Sequence, residues 1–207
     1  ALVYEVRRYQ KHHPLARDAM LRVTTHLVQP GGFALLTAYL MATWHGKLLP
    51  LTYYAAPTRG ISFSRVATQL VVQDCLMFLS HRLEHFLKLR GHFLHHAFKK
   101  PVAFDAFDGS IEDTIYMILI PLFLTAHVCA VFFDVNVYDY MAFGSIYANA
   151  LFFLHSDAEH EWDEAFRHLK FGTQRDHHLH HKYPSMNFGH LFMWWDAFVG
   201  STAKQEV

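Results

Sequence analysis

Cysteine is nearly absent from this 207-residue chain. Cys75 and Cys129 both lie in apolar runs, which argues against a disulfide framework and reads as two packed thiols. Net charge is lacking too. The 18 Lys plus Arg are balanced by 18 Asp plus Glu, so neither nucleic acid nor another polyanion is an expected partner. Residues 1–30 lack the continuous apolar core of a cleavable signal peptide, and a start on Ala1 instead of Met fits a trimmed chain. No internal repeat or low-complexity linker divides the sequence. One domain over 1–207 is the simplest organisation.

What the chain has in quantity is apolar sequence. Hydrophobic residues make up 52%, with 19 Phe, which invites a search for membrane spans. Apolar segments fall at about 33–51, 61–80, 114–133 and 137–154. The expected fold class is therefore an all-α integral membrane protein with about four transmembrane helices. A basic tail occupies 1–30, the membrane region 31–155, and a helical cap 156–207. The third segment is the clearest, with about twenty uncharged residues for ~30 Å of hydrocarbon. A short turn at 134–136 makes segments three and four an antiparallel hairpin, so whatever precedes 114 shares a side with whatever follows 154. If the first segment also spans, 15 of the 18 Lys and Arg fall on that side, leaving out Lys47, Arg59 and Arg65. The positive-inside rule makes it cytoplasmic, at the endoplasmic reticulum of a eukaryote or the inner membrane of a bacterium.

Histidine is the other excess, with 18 residues. HRLEHFLKLRGHFLHH carries His81, His85, His92, His95 and His96 at spacings that return to one helical face. In one unbroken helix the five would fall within an arc of roughly 100°, and Gly91 is where it would break. RDHHLHHKYPSMNFG repeats the HxxHH spacing as His177, His180 and His181, with His178 out of phase as a bystander. HSDAEH supplies His155 and His160. A separation of five residues is about 140° out of phase, so both bind only if the helix ends near Ser156 or widens into a π turn.

Ten histidines are too many for one four-coordinate zinc and suit two ions of higher coordination. No Cys and no Glu-x-x-His pair accompanies them, which disfavours thiolate and ferritin-type carboxylate sites. Imidazole ligation beside an apolar slab points to iron and O2 chemistry on a lipid, with zinc a possible occupant of the purified protein.

These four motifs, HRLEH, HFLHH, HSDAEH and HHLHH, resemble those of the fatty acid hydroxylase and sterol desaturase superfamily of membrane-bound non-haem di-iron enzymes. The ending KYPSMNFGHLFMWWDAFVGS is similar too, with Asn187-Phe188-Gly189, Trp195-Asp196 and Gly200 in order. The likeness covers about 61–201. The five-residue spacing of His155 and His160 is similar to that of carotenoid hydroxylases, whereas the tail is closer to the sterol branch. The resemblance implies O2-dependent hydroxylation or desaturation of a membrane lipid, of sterol, fatty-acyl, sphingolipid or carotenoid type. It implies two Fe ions on His81, His85, His92, His95, His96, His155, His160, His177, His180 and His181. It also implies an external electron donor, a cytochrome b-type or ferredoxin protein.

Other residues have two readings. Asp74 lies two turns before His81 on the same face and either orients a ligand, meets the substrate, or bonds to Gln or Ser inside the bundle. Asn149 lines a substrate tunnel or bonds between helices. Asp157 and Asp176 are either acceptors for ligand imidazoles or plain surface acids. His127, inside the third segment, reads as a packed histidine. NFGHLFMWWDAFVG reads as an interfacial segment closing the site or as core. The competing class is a non-catalytic, His-rich metal-binding membrane protein, which should carry histidines along its spans, where only His45 and His127 fall.

Overall fold

The computed structural model describes residues 28–203 apart from 30, 57, 100, 108 and 109. The expected basic tail therefore lies outside the described residues, except for positions 28 and 29. The described residues are helical, with one isolated bridge between Phe171 and Phe192. Helix α1 is Phe33–His45, α2 is Phe63–Leu87, and α3 is Arg90–His95. Helix α4 runs over Ile111–Phe132 with a π turn at Ile115–Leu119, and α5 is Val137–Leu154. Three short helices follow: α6 at Asp163–His168, α7 at Gln174–Lys182 and α8 at Trp194–Val199.

Two expectations about helix ends need correction. The first apolar segment forms only the 13 residues of α1, about 20 Å, short of ~30 Å of hydrocarbon. It stops because Lys47 turns left-handed at φ 49° and Leu48 N–H reaches back to the carbonyl of Thr43 at 3.0 Å. Helix α2 runs directly into the first histidines, as expected, and keeps His81 and His85 on its last two turns. The break after it falls at Lys88, not Gly91. Lys88 is left-handed (φ 54°), and Leu89 N–H reaches the carbonyl of Glu84 at 3.0 Å, a Schellman-type ending. Gly91 sits inside α3, where an added Cβ would stand 2.4 Å from Ser110 Oγ. Its smallness lets α3 lie against the start of α4.

The core is where α2, α4 and α5 meet. On α5 the buried residues Tyr140, Phe143, Tyr147, Leu151 and Leu154 recur at three and four, one helical face. Asn136 opens that helix with a capping box: its side chain accepts from Asp139 N–H at 3.0 Å, and Asp139 accepts from Asn136 N–H at 3.3 Å. Asp139 also takes Arg59 Nη1 at 3.2 Å and Ser62 N–H at 2.7 Å, which ties the α4–α5 turn to the start of α2. In α4 the π turn comes just before Pro121, which has no N–H and whose ring presses on the carbonyl four residues back.

Helix α4 is the one described helix long and apolar enough to cross a membrane. Tyr116, Ile120, Leu124, Val128 and Val131 form an exposed stripe along it. In water so continuous a stripe would be costly; against hydrocarbon it is the surface a membrane helix presents. His127 packs within this helix, its Nδ1 2.9 Å from the carbonyl of Phe123, as a packed histidine should.

Candidate metal centre

Nine of the ten expected histidines converge at the end of the α4–α5 hairpin away from its turn, in two adjoining sets. The first holds His81, His85, His92, His96 and His180; the second holds His95, His155, His177 and His181. Each HxxHH motif is shared between them. In α3 the outer pair His92 and His96 serves the first set and His95 the second. In α7 the outer pair His177 and His181 serves the second and His180 the first. Positions i and i+4 lie closest on a helix and i+3 is offset, so one short helix reaches both sets. The rings of His96 and His181, one from each set, stand 4.7 Å apart.

The Nε2 atoms meet at ligand-like distances. In the first set His92–His85 and His96–His92 are 3.0 Å, His180–His96 is 3.1 Å, His85–His180 is 3.2 Å and His85–His81 is 3.3 Å. In the second, His177–His155 is 3.0 Å, His181–His177 is 3.1 Å and His155–His95 is 3.3 Å. Nitrogens ~2.1 Å from one ion and at right angles around it would be about 3.0 Å apart.

Nδ1 partners decide what those Nε2 atoms are. His81 donates Nδ1–H to the carbonyl of Phe188 at 2.8 Å, His180 to Met186 at 2.6 Å, and His155 to Leu151 at 2.8 Å. A carbonyl only accepts, so each of these rings, when neutral, aims a bare Nε2 lone pair at its neighbours. His92 donates Nδ1–H to Asp113 at 2.8 Å, with Glu84 3.4 Å from the same nitrogen. Lone pairs crowded at about 3 Å repel unless a cation sits among them. Burial, and after it the neighbouring imidazoles, holds His177 and His180 well below the usual imidazole pKa, as neutral ligands require. The residues therefore fit a pair of bound metal ions.

His160 is the exception. The helix does end at Leu154, as its participation required, yet the loop carries His160 elsewhere. Its ring stacks on Trp162 at 4.8 Å, its N–H donates to Asp163 at 2.6 Å, and its Nδ1 lies 3.7 Å from the same carboxylate. It belongs to the entry of α6 and to neither set, which leaves nine imidazoles. His178 also belongs to neither set.

The remaining acids sort by what they touch. Asp74 is fully buried and, among the described residues, bonds to no ligand imidazole and to no Gln or Ser. It accepts from Tyr147 Oη and Leu191 N–H at 2.7 Å, and from Phe192 N–H and Trp195 Nε1 at 3.0 Å. Asp176 caps α7, accepting from Thr173 N–H at 3.1 Å and Thr173 Oγ1 at 2.7 Å. Asp157 is exposed. The acids that do meet a ligand imidazole are Asp113 and Glu84, neither singled out by the sequence. An acid 21 residues from its histidine leaves no local spacing to find.

A second omission is His190. It is buried, and its ring lies 5.1 Å from that of His81 and 5.6 Å from that of His177, one member of each set. With no helical partner and an aromatic tail around it, the sole signal was a histidine directly after Asn187-Phe188-Gly189.

Two spaces adjoin the centre. A chamber of about 40 Å³ opens among His81, His92, His95, His155 and His177, enough for one or two water-sized molecules. A cavity of about 730 Å³ lies between α2, α5 and the cap, walled by Leu70, Ile146, Phe153, Phe166, Phe171 and Trp194 among others. Asn149 lines it while bonding back to its own helix, Nδ2 to the carbonyl of Ser145 at 2.7 Å.

A buried, all-histidine two-set centre on a helical membrane scaffold, beside an apolar cavity, defines the class. The chain belongs to the fatty acid hydroxylase family, which its residues 66–201 match. It is 44% identical over 192 residues to a protein of Phaeodactylum tricornutum (strain CCAP 1055/1) named alternative squalene epoxidase, an alignment covering 90% of this chain and 54% of that protein. The chain thus spans about half the length of that relative. No solved structure matches it.

Proposed function

We propose that this chain is a di-iron, O2-dependent oxygenase that adds one oxygen atom to a carbon–carbon double bond of a long apolar lipid. Epoxidation of a squalene-type polyene is the favoured reaction. The observation that carries the reading is the pairing of nine converging imidazoles with an adjoining apolar cavity of about 730 Å³, within the ~300–1,000 Å³ of small-molecule sites. Among the described residues, no Lys or Arg lines that cavity. An acyl thioester or a phospholipid would bring an anionic head with no cation to meet it, whereas a hydrocarbon needs none. The name of the Phaeodactylum tricornutum relative points the same way. The hydroxylation or desaturation of a sterol or acyl lipid expected from the sequence thereby narrows to attack on an alkene.

The chemistry supplied by two bound irons is reduction of O2: alkene, O2, two electrons and two protons become epoxide and water. The electrons come from outside, from a cytochrome b-type or ferredoxin donor. The chain's own residues do the rest. His81, His85, His92, His96 and His180 would hold one ion, and His95, His155, His177 and His181 the other. Asp113 and three backbone carbonyls fix the ring orientations. The apolar wall positions the chain of the lipid and excludes water. In this reading α2, α4 and α5 cross the membrane, and the centre faces the cytoplasm.

The test is oxygen-18 labelling in cells that lack their own squalene epoxidation and carry this chain or its His95→Ala variant. The labelled epoxide should appear with the parent chain under ¹⁸O2 and be absent with the variant. Hydroxylated or desaturated lipid in its place would overturn the alkene assignment and keep the oxygenase.

A further inference from the structure

His190 lines both the 730 Å³ apolar cavity and the 40 Å³ chamber among the ligand histidines. It is nearly fully buried, and its Nδ1 has no hydrogen-bond partner among the described residues. A polar nitrogen buried without a partner is costly, and such a group calls for an explanation.

The backbone around it is held unusually firmly. On one side Phe188 N–H and Gly189 N–H donate to Asp196 at 2.9 and 2.6 Å; on the other, Leu191 N–H and Phe192 N–H donate to Asp74 at 2.7 and 3.0 Å. Two buried carboxylates thus grip the residues on both sides of His190. Gly172 closes the third side: a Cβ there would stand 1.9 Å from the carbonyl of His190, and its N–H bonds to the carbonyl of Leu191 at 3.0 Å. Asn187, left-handed at φ 54°, anchors the approach by bonding Nδ2 to the carbonyl of Asp176 at 3.1 Å and accepting from Ala203 N–H at 2.7 Å. So much fixation around one unpartnered imidazole describes a binding group held in place.

We propose that His190 is the hydrogen-bond partner of the oxygen-bearing end of the lipid, at the neck between the apolar cavity and the histidine centre. This rests on the oxygenase reading above. Oxygen insertion turns an apolar chain end into a polar one inside an apolar cavity. That new oxygen needs a donor, and the Nδ1–H tautomer of His190 supplies one without disturbing either ligand set. The ligand class is therefore an oxygenated long-chain lipid: an epoxide of a polyene, or the alcohol that a hydroxylase would leave.

The test uses the full chain in lipid nanodiscs, loaded with zinc so that no turnover occurs, and measures binding of two probe pairs. One pair is squalene and its terminal epoxide; the other is octadecene and octadecanol. The parent should bind the oxygenated member of at least one pair about tenfold more tightly than its hydrocarbon. His190→Phe should bring that ratio close to one while keeping hydrocarbon binding and metal content. His190→Gln, which retains an N–H donor, should recover part of the preference. An unchanged ratio in His190→Phe overturns the proposal, and so does loss of an ion in both variants, which would make His190 a ligand. If the octadecanol pair binds and the squalene pair does not, the polyene reading fails while the ratio on the C18 pair still judges His190. If neither pair binds, the cavity holds no such lipid and both fall.

Discussion

His155→Ala should lower the metal content from two ions per chain to one and abolish turnover. Its set has four imidazoles, so the loss leaves His95, His177 and His181. Removing a group that merely orients a ligand costs ~10–100-fold in affinity or activity, and removing a ligand from the smaller set should cost more than that. His160→Ala is the matched control. Its imidazole lies against Trp162 and Asp163, so the variant should keep both ions and most of the activity. Elemental analysis and turnover, measured on the same preparations, check both. An ion lost from His160→Ala, with both retained by His155→Ala, would reverse the assignment of the HSDAEH motif.

Asp74→Ala should be the most destabilising single substitution in the chain. It would orphan four buried donors: the Tyr147 hydroxyl, two backbone N–H groups and the Trp195 indole. Each unsatisfied buried group costs ~1–3 kcal/mol, so the loss is at least about 4 kcal/mol, a large share of a typical ~5–15 kcal/mol. The midpoint of thermal unfolding should fall by roughly 10 °C, and the segment bearing His190 should loosen first. Asp74→Asn keeps one acceptor oxygen but turns an N–H toward the donors, so its loss should be intermediate. A midpoint for Asp74→Ala within about 2 °C of the parent would show that Asp74 does not fasten the tail.

Much of this was legible in the sequence because it was local. The uncharged run in α4 and the short turn at 134–136 marked the hairpin, and α5 occupies Val137–Leu154, the residues expected of the fourth segment. The repeated HxxHH showed three imidazoles on one face in each of two places. Periodicity could not say how those faces are shared between two centres, since that depends on how α3 meets α7. Nor could it exclude His160, because a loop of a few residues turns it toward Asp163 instead. The Lys88 break was hidden for another reason: a lysine in the left-handed region carries no signal, while nearby Gly91 gave a false one. Asp74 lay within reach of His81 by helical phase, but its partners come from over 115 residues further on or from the facing helix.

The central claim is that two ions are held by nine imidazoles. The most direct test is elemental analysis of anaerobically purified protein, paired with Mössbauer spectroscopy of ⁵⁷Fe-loaded samples. The account predicts close to two irons per chain in two distinguishable nitrogen-rich sites, one for the five-histidine set and one for the four. Zinc taken up during aerobic overexpression would not count against it, because zinc outcompetes ferrous iron at imidazole sites. A reproducible value of one iron or fewer in folded, zinc-free protein would contradict it.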